Sequence, residues 1–232
     1  MKRRISGPAR ATAALVGLLV VLPSAWPDPA AQTRATLQIY LARHGQTDGN
    51  LKRIAQGWTD TPLNETGRQH AAMLAERLKG VPLDAIYSST LSRSRETAQA
   101  VATSANLTVR SLPGLREIGL GRFENVSLDD PLMKTRPRGD QRGPDDGETT
   151  AQVTERVNAA IAEIRAGHAS GTILIVGHAG ANSYVLRALL QMTAQEMGPV
   201  SQDNDELYML EFSPGVKARV FKFIPQGKFS EL

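Results

Sequence analysis

A guanidinium and an imidazole stand side by side at Arg43-His44-Gly45, directly after the apolar run Leu37-Gln-Ile-Tyr-Leu41. Imidazole serves as nucleophile or proton carrier near neutral pH, and guanidinium holds anionic oxygens through paired N–H groups. At a glycine turn that ends a strand, the two suit chemistry on an anion, most simply a phosphate. Alone, they fit a basic strand end with a surface histidine equally well. The rest of the chain decides. His178 occupies an equivalent place, after the apolar run Thr172-Ile-Leu-Ile-Val-Gly177. The stretch Tyr87–Ala98 brings Arg93 and Arg95 to another strand end and helix start, where backbone N–H groups add positive potential. Two histidines and two or more arginines converging from separate strand ends make an anion pocket with a nucleophile in it. In open α/β sheets, such pockets lie beyond the carboxyl ends of the strands.

The elements that must position these groups follow from periodicity. Leu37–Ala42 reads as a first strand covered on both faces. A loop runs to Pro62, and residues 64–79 read as a helix, with Ala71, Leu74, Ala75 and Leu78 at spacings of three and four and Gly80 as the stop. Strand Asp84–Ser88, a helix from Thr90 or Ser92 to Ser104, and strand Thr108–Leu112 come next. Residues 113–147 carry Pro113, Pro131, Pro137 and Pro144 with little periodicity, and a loop of that length is functional or mobile. Helix resumes over Thr149–Ala166, then strand Thr172–Gly177 and helix Ala181–Leu190. Leu207–Phe212 and Val216–Ile224, joined through Ser-Pro-Gly, read as a C-terminal antiparallel hairpin. Alternating strands and helices predict an α/β fold: a mostly parallel central sheet with helices on both faces.

Composition narrows the function classes. Of 232 residues, 41% are apolar and 22% charged, enough for a core of ordinary size. The net charge is +4, but Lys2, Arg3, Arg4 and Arg10 lie in the first ten residues and Asp28 shortly after. Taking four bases and one acid away leaves +1, so the body is not a nucleic-acid binder. The absence of cysteine excludes disulfides, a thiol nucleophile, a cysteine zinc site and a lipid-modified cysteine. A basic start, a 12-residue apolar run at 11–22 and the breakers Pro23-Ser24 form a signal peptide within a flexible leader over 1–33, with the main domain at 34–232. The run would span about 18 Å as a helix against a hydrocarbon core of about 30 Å, too short for an anchor. The expectation is export, periplasmic or secreted, with no stable membrane insertion once the leader is removed.

Arg43-His44-Gly45, Asn50 and Gln56-Gly57 resemble the signature of the histidine phosphatase (phosphoglycerate mutase-like) superfamily. Asp60-Thr-Pro-Leu63, Gly67, Ser89–Arg93 with Glu96–Ala98, Leu115–Glu117, Gly121–Glu124, Gly147-Glu148 and Val176–His178 resemble its later motifs, in family order. The resemblance covers about residues 37–224. It implies a phosphoglycerate mutase-like fold and a metal-independent, cofactor-free phosphomonoesterase acting on a small phosphorylated metabolite. In that chemistry His44 attacks phosphorus and becomes a phosphohistidine, splitting one hard displacement into two. Arg43, Arg93 and a protonated His178 hold the non-bridging oxygens, with Asn50, Gln56 and Gly57 lining the substrate site. Glu117 protonates the leaving oxygen and then activates water.

Several alternatives stand beside this reading. Register favours Arg93 over Arg95. Glu117 is taken over Glu124 seven residues on, although either also suits a solvated loop carboxylate. His70 and His168 are read as structural. Gly49 and Phe123-Glu-Asn125 depart from the family pattern near the leaving-group side. The loop 125–146, with Lys134, Arg136, Arg138 and Arg142 among five aspartates, suits a pocket cover that binds a second anion and a solvated mixed-charge loop alike. Mutase-type phosphoryl transfer and a non-catalytic phospho-ligand module are the rival functions. The secreted acid phosphatase and phytase branch is set aside, because Gln46-Thr47 and His178-Ala179 replace its residues.

Overall fold

A computed structural model describes residues 36–137, 139–198, 200–224 and 228–231; the leader expected over 1–33 lies outside them. The chain forms β1 (Leu37–Arg43), α1 (Asp48–Leu51), α2 (Glu65–Arg77), β2 (Ala85–Ser88), α3 (Ser92–Ala105), β3 (Val109–Ser111) and α4 (Pro131–Lys134). It continues with α5 (Thr150–Ala166), β4 (Gly171–Gly177), α6 (Ala179–Leu190), α7 (Ala194–Met197), β5 (Leu207–Phe212), β6 (Arg219–Ile224) and β7 (Lys228–Glu231).

The strands make one sheet in the order β3-β2-β4-β1-β5-β6-β7. Strands β1 to β4 pair in parallel; β5 runs antiparallel to β1, and β6 and β7 continue antiparallel. The expected mostly parallel sheet with a C-terminal hairpin is present, and β7 adds a third strand to that hairpin. The strand expected from Val216 begins at Arg219, because Ser213–Val216 closes the turn with a Val216 N–H to Ser213 carbonyl bond. Short helix α1 lies inside the stretch expected to be loop.

Strand alternation sorts the core into two layers. Ile39, Leu41, Ile173 and Ile175 pack against Val153, Val157, Ile161 and Ile164 of α5 and Val185, Leu186 and Leu189 of α6. Tyr40, Ala42, Leu174 and Val176 face the other way, onto Leu74 of α2 and Ala98, Val101 and Ala102 of α3. Each fully buried Ile, Leu or Val contributes about 1.5–3 kcal/mol. The spacing of three and four in α5 puts Val153, Val157, Ala160, Ile161 and Ile164 on one face, and Thr149 starts the helix through a capping box with Gln152.

Register then places the strand ends. Arg43 pairs with Gly177 and Ser88 with Val176, so His44, His178 and Ser89 leave the sheet side by side. The turn after β1 fits only because two glycines pack back to back. A Cβ on Gly67 would lie 1.9 Å from the Gln46 carbonyl oxygen, and one on Gly45 would lie 2.3 Å from the Gly67 carbonyl oxygen. Glycine to alanine inside a helix ordinarily gains about 0.5–1 kcal/mol. At Gly67 we expect Gly67→Ala to lose about 1–3 kcal/mol instead, read as a lower urea midpoint; an equal or higher midpoint would contradict the close packing.

Candidate active site

His44 is 3% exposed, and its Nδ1 lies 2.7 Å from the Gly45 carbonyl oxygen. A carbonyl only accepts, so Nδ1 carries the proton and Nε2 keeps its lone pair. Burial first, then Arg93 and Arg43, push the His44 pKa well below the ordinary histidine value, so the ring is neutral. Asn204 fixes the backbone at this point by donating from Nδ2 to the His44 carbonyl at 2.6 Å. His44 lines a cavity of about 240 Å³ together with Arg43, Asn50, Gln56, Gly57 and Arg93. Glu117 and Gly180 close its far side.

The two arginines are held by carbonyls rather than carboxylates. Arg93, 1% exposed, donates to the Thr59 and Gly57 carbonyls, both at 2.8 Å. Arg43 donates to the Gln202 carbonyl at 2.9 Å. Neutral acceptors orient the guanidinium groups without cancelling their charge. The Nε donors of Arg43 and Arg93 are buried with no hydrogen-bond partner among the described residues, as is the Nδ1 of His178. Unpaired buried donors cost about 1–3 kcal/mol each, which an anion in the cavity would offset for the two arginines that line it. Arg95 points to solvent, as expected.

His178 is fully buried behind His44, with ring centroids 5.0 Å apart, and does not line the cavity. Its Nε2 lies 2.7 Å from Ser89 Oγ. Burial, then His44, Arg93 and Arg43, push its pKa well down. The expected imidazolium is therefore neutral in the ligand-free protein, because the ring is buried and its charged or ring neighbours His44, Arg93, Arg43 and Arg156 all oppose a proton. Only an arriving anion supplies the field that would protonate it.

Asn50 serves two purposes. Its Oδ1 accepts from the Thr47 N–H and hydroxyl in the capping box of α1, which leaves Nδ2 for the cavity. Gln56 Oε1 lies 2.9 Å from the same Thr47 hydroxyl, whose single proton the two side-chain oxygens share. Gly57 has φ +51°, and a Cβ there would lie 2.4 Å from Glu124 Oε1. The Gly57 carbonyl accepts from Arg93 at 2.8 Å.

Of the two candidate acids, Glu117 lines the cavity and Glu124 does not. The carboxylate of Glu117 accepts from the Ile118, Gly180 and Ala181 N–H groups at 2.9, 3.2 and 2.9 Å. The last two belong to the start of α6, which has no side-chain cap of its own, so Glu117 fills that role. Glu124 accepts from Trp58 N–H, the Thr59 hydroxyl and Leu120 N–H and serves as a loop tie. His168 bonds the Tyr87 hydroxyl at 3.0 Å, a structural role as expected. Among the described residues, no group of three His, Asp or Glu side chains is placed to hold a metal ion.

A clamp that no local pattern announces holds the Glu117 loop. Arg156 pairs with both oxygens of Glu148 at 2.6 and 2.7 Å and donates to the carbonyls of Gly114, Arg116 and Glu117 at 2.8–3.0 Å. Glu148 also accepts from Gly119 N–H, and the Trp58 indole donates to the Glu117 carbonyl at 2.8 Å. Glu148 belongs to a family-like motif; Arg156, on the polar side of α5, had no sequence signal beyond its type.

This geometry agrees with three comparisons. The model of the "Histidine phosphatase superfamily (branch 1)" matches residues 39–222. A Yersinia pestis protein named "Probable phosphoglycerate mutase GpmB" is 34% identical over 166 residues, covering 68% of this chain and 77% of that one. A mycobacterial glucosyl-3-phosphoglycerate phosphatase structure superposes with a TM-score of 0.67 at 25% identity, over 80% of this chain and 97% of that one. The alpha-ribazole phosphatase of Shigella flexneri gives 0.69 at 27% identity, over 76% and 91%. With its two histidines, two arginines and one glutamate on this scaffold, the chain belongs to the histidine phosphatase superfamily, branch 1.

Proposed function

We propose that this protein is a phosphomonoesterase that works through a phosphohistidine at His44, the chemistry general to its family. The observation that carries the reading is the 2.7 Å contact of His44 Nδ1 with the Gly45 carbonyl oxygen, in a ring that lines the cavity with Arg43 and Arg93. A carbonyl only accepts, so Nδ1 carries the proton and Nε2 is left as the neutral nucleophile. In the first step Nε2 bonds to phosphorus as the ester oxygen leaves with a proton from Glu117. In the second, Glu117 takes a proton from water, whose oxygen bonds to phosphorus and releases His44. Arg43, Arg93, Asn50 Nδ2 and His178 balance the charge on the non-bridging oxygens, His178 gaining its proton only once the phosphate is present. The arginines supply positive charge at the phosphate, and the reading invokes no metal or cofactor. The loop 113–120, braced by Arg156 and Glu148, keeps Glu117 on the leaving-group side.

A mutase name among the relatives supports a second reading, in which the phosphoenzyme returns its phosphate to an alcohol rather than to water. Export of the protein is proposed on the composition of residues 1–31 alone.

A panel of phosphate esters assayed with and without chelator tests the hydrolase reading. We expect release of inorganic phosphate from an aryl phosphate, unaffected by chelator and reduced at least about 10³-fold in His44→Ala. Retained activity in that variant would refute it, and transfer between phosphoglycerate positions without net release would favour the mutase.

Stability should also depend on pH in a set direction. His44 and His178 stay neutral when folded, while the unfolded chain takes up protons below the ordinary value of 6.5. Their contribution is thus intact above pH 6.5 and is lost as the pH falls below it. His178→Gln should remove about half of this histidine-dependent loss between pH 7.5 and 5.5 in urea titrations; an unchanged pH dependence would contradict the assignment.

A further inference from the structure

Two buried amides behind Arg43 take no part in the chemistry proposed for the cavity. Asn182 of α6 is 1% exposed, and Gln202, in the segment before β5, is 3% exposed. Gln202 Nε2 donates to the Leu41 carbonyl at 2.9 Å and to the Glu206 carbonyl at 3.2 Å. Its Oε1 accepts from Asn182 Nδ2 at 2.7 Å, and that Nδ2 also donates to the Ala42 carbonyl at 3.1 Å. Carbonyls only accept, so the backbone oxygens fix which end of each amide is the nitrogen. Asn182 Oδ1 is buried with no partner among the described residues. The asparagine therefore serves as a donor, at the cost of an unsatisfied acceptor.

What the pair holds is the backbone of Gln202 itself. The Gln202 carbonyl accepts from Arg43 at 2.9 Å, the one hydrogen bond of that guanidinium among the described residues. Arg93 has two such carbonyls, Thr59 and Gly57, whereas Arg43 depends on one. Residues 201–206 lie in no helix or strand, so no ladder bond sets where the Gln202 carbonyl points. The side-chain amide does. It is bound to β1 two residues before Arg43, and Arg43 is bound back to the Gln202 carbonyl, which closes a ring. The neighbouring Ser201 carbonyl is held separately, by the Tyr208 hydroxyl and Lys222, both at 3.0 Å. Loss of the amide would thus free the direction of one carbonyl without detaching the segment.

We propose that Gln202 is a positioning residue for Arg43. Its buried amide, backed by Asn182, sets the direction of the Gln202 carbonyl and so aims the guanidinium at an anion in the cavity. The proposal rests on the oxyanion-binding part of the phosphomonoesterase reading and does not require turnover.

The test is a double-mutant cycle read as inorganic phosphate affinity by phosphorus NMR titration. Gln202→Met is made in the wild-type, Arg93→Met and Arg43→Met chains, and Gln202→Leu repeats the cycle with a second apolar side chain. We expect the Gln202 change to weaken phosphate binding about tenfold in the wild-type and Arg93→Met chains. In Arg43→Met it should cost less than about twofold, because no guanidinium is left to aim. A general loosening of the fold would lower affinity by the same factor in all three. Equal losses in all three chains, an unchanged affinity in Gln202→Met, or no phosphate binding by the wild type would overturn the proposal. The arginine Nε–H signals in nitrogen–proton correlation NMR give a readout that needs no ligand. In Gln202→Met the Arg43 signal should move while that of Arg93 stays; an unmoved Arg43 signal would contradict the assignment. Turnover of an aryl phosphate by the wild type is scored separately. Coupling without turnover would sink the hydrolase reading alone, and turnover without coupling would sink the positioning role alone.

Discussion

The site depends on the parallel pairing of β1 with β4 in one register, Arg43 opposite Gly177. Side chains alternate along a strand, so a slip of one residue would exchange the two faces of β1 and send its apolar residues to the wrong helices. Two core layers oppose that slip: Ile39 and Leu41 against α5 and α6, Tyr40 and Ala42 against α2 and α3. The same force that buries these residues therefore sets the spacing of His44 and His178. The His44 N–H to Gly177 carbonyl bond, at 3.0 Å, is the last rung of the ladder and the first bond of the site.

That register builds a pocket whose positive charge is left largely uncompensated. Three arginines line the cavity with one carboxylate, and the two nearest His44 are oriented by backbone carbonyls. Carboxylate partners would have eased their burial, but would have cancelled the field that an anion needs. Burial keeps both histidines neutral, which suits a nucleophile at His44 and leaves His178 ready to accept a proton when negative charge arrives. The acid side is built differently. Glu117 rests on the N-terminus of α6, and its loop is held by Arg156, Glu148 and Trp58. The arginine side and the Glu117 side of the cavity thus rest on separately supported segments.

The range of each interaction decides how much of this is legible in the chain. Strands such as Thr172–Gly177 and helices such as α5 show in local periodicity, and the strand-end histidines are placed by them. Arg93 rather than Arg95 is favoured by motif register, and the structure shows why: one is 1% exposed and the other faces solvent. Pattern alone does not separate Glu117 from Glu124, since what distinguishes them is which distant N–H groups each carboxylate meets. The four-residue helix α1 escapes because one turn carries no periodicity; its only mark is Thr47 three residues before Asn50. The Arg156–Glu148 clamp holds the Glu117 loop from some 40 residues away, and the neutral state of His178 depends on burial and on neighbours from the ends of β1 and β2 and from α5. Neither has a local signature.

The proposed function turns on one covalent event, the transfer of phosphate to His44 Nε2 and its release in a second half-reaction. Rapid acid quench of the protein during turnover of a phosphorus-labelled ester, followed by peptide mapping, probes it directly. We expect an acid-labile, base-stable phosphoryl group on the peptide that contains His44, absent from His44→Ala. A phosphoryl group on any other residue, or turnover with no trapped phosphoenzyme even when Glu117→Gln slows its breakdown, would contradict the phosphohistidine mechanism.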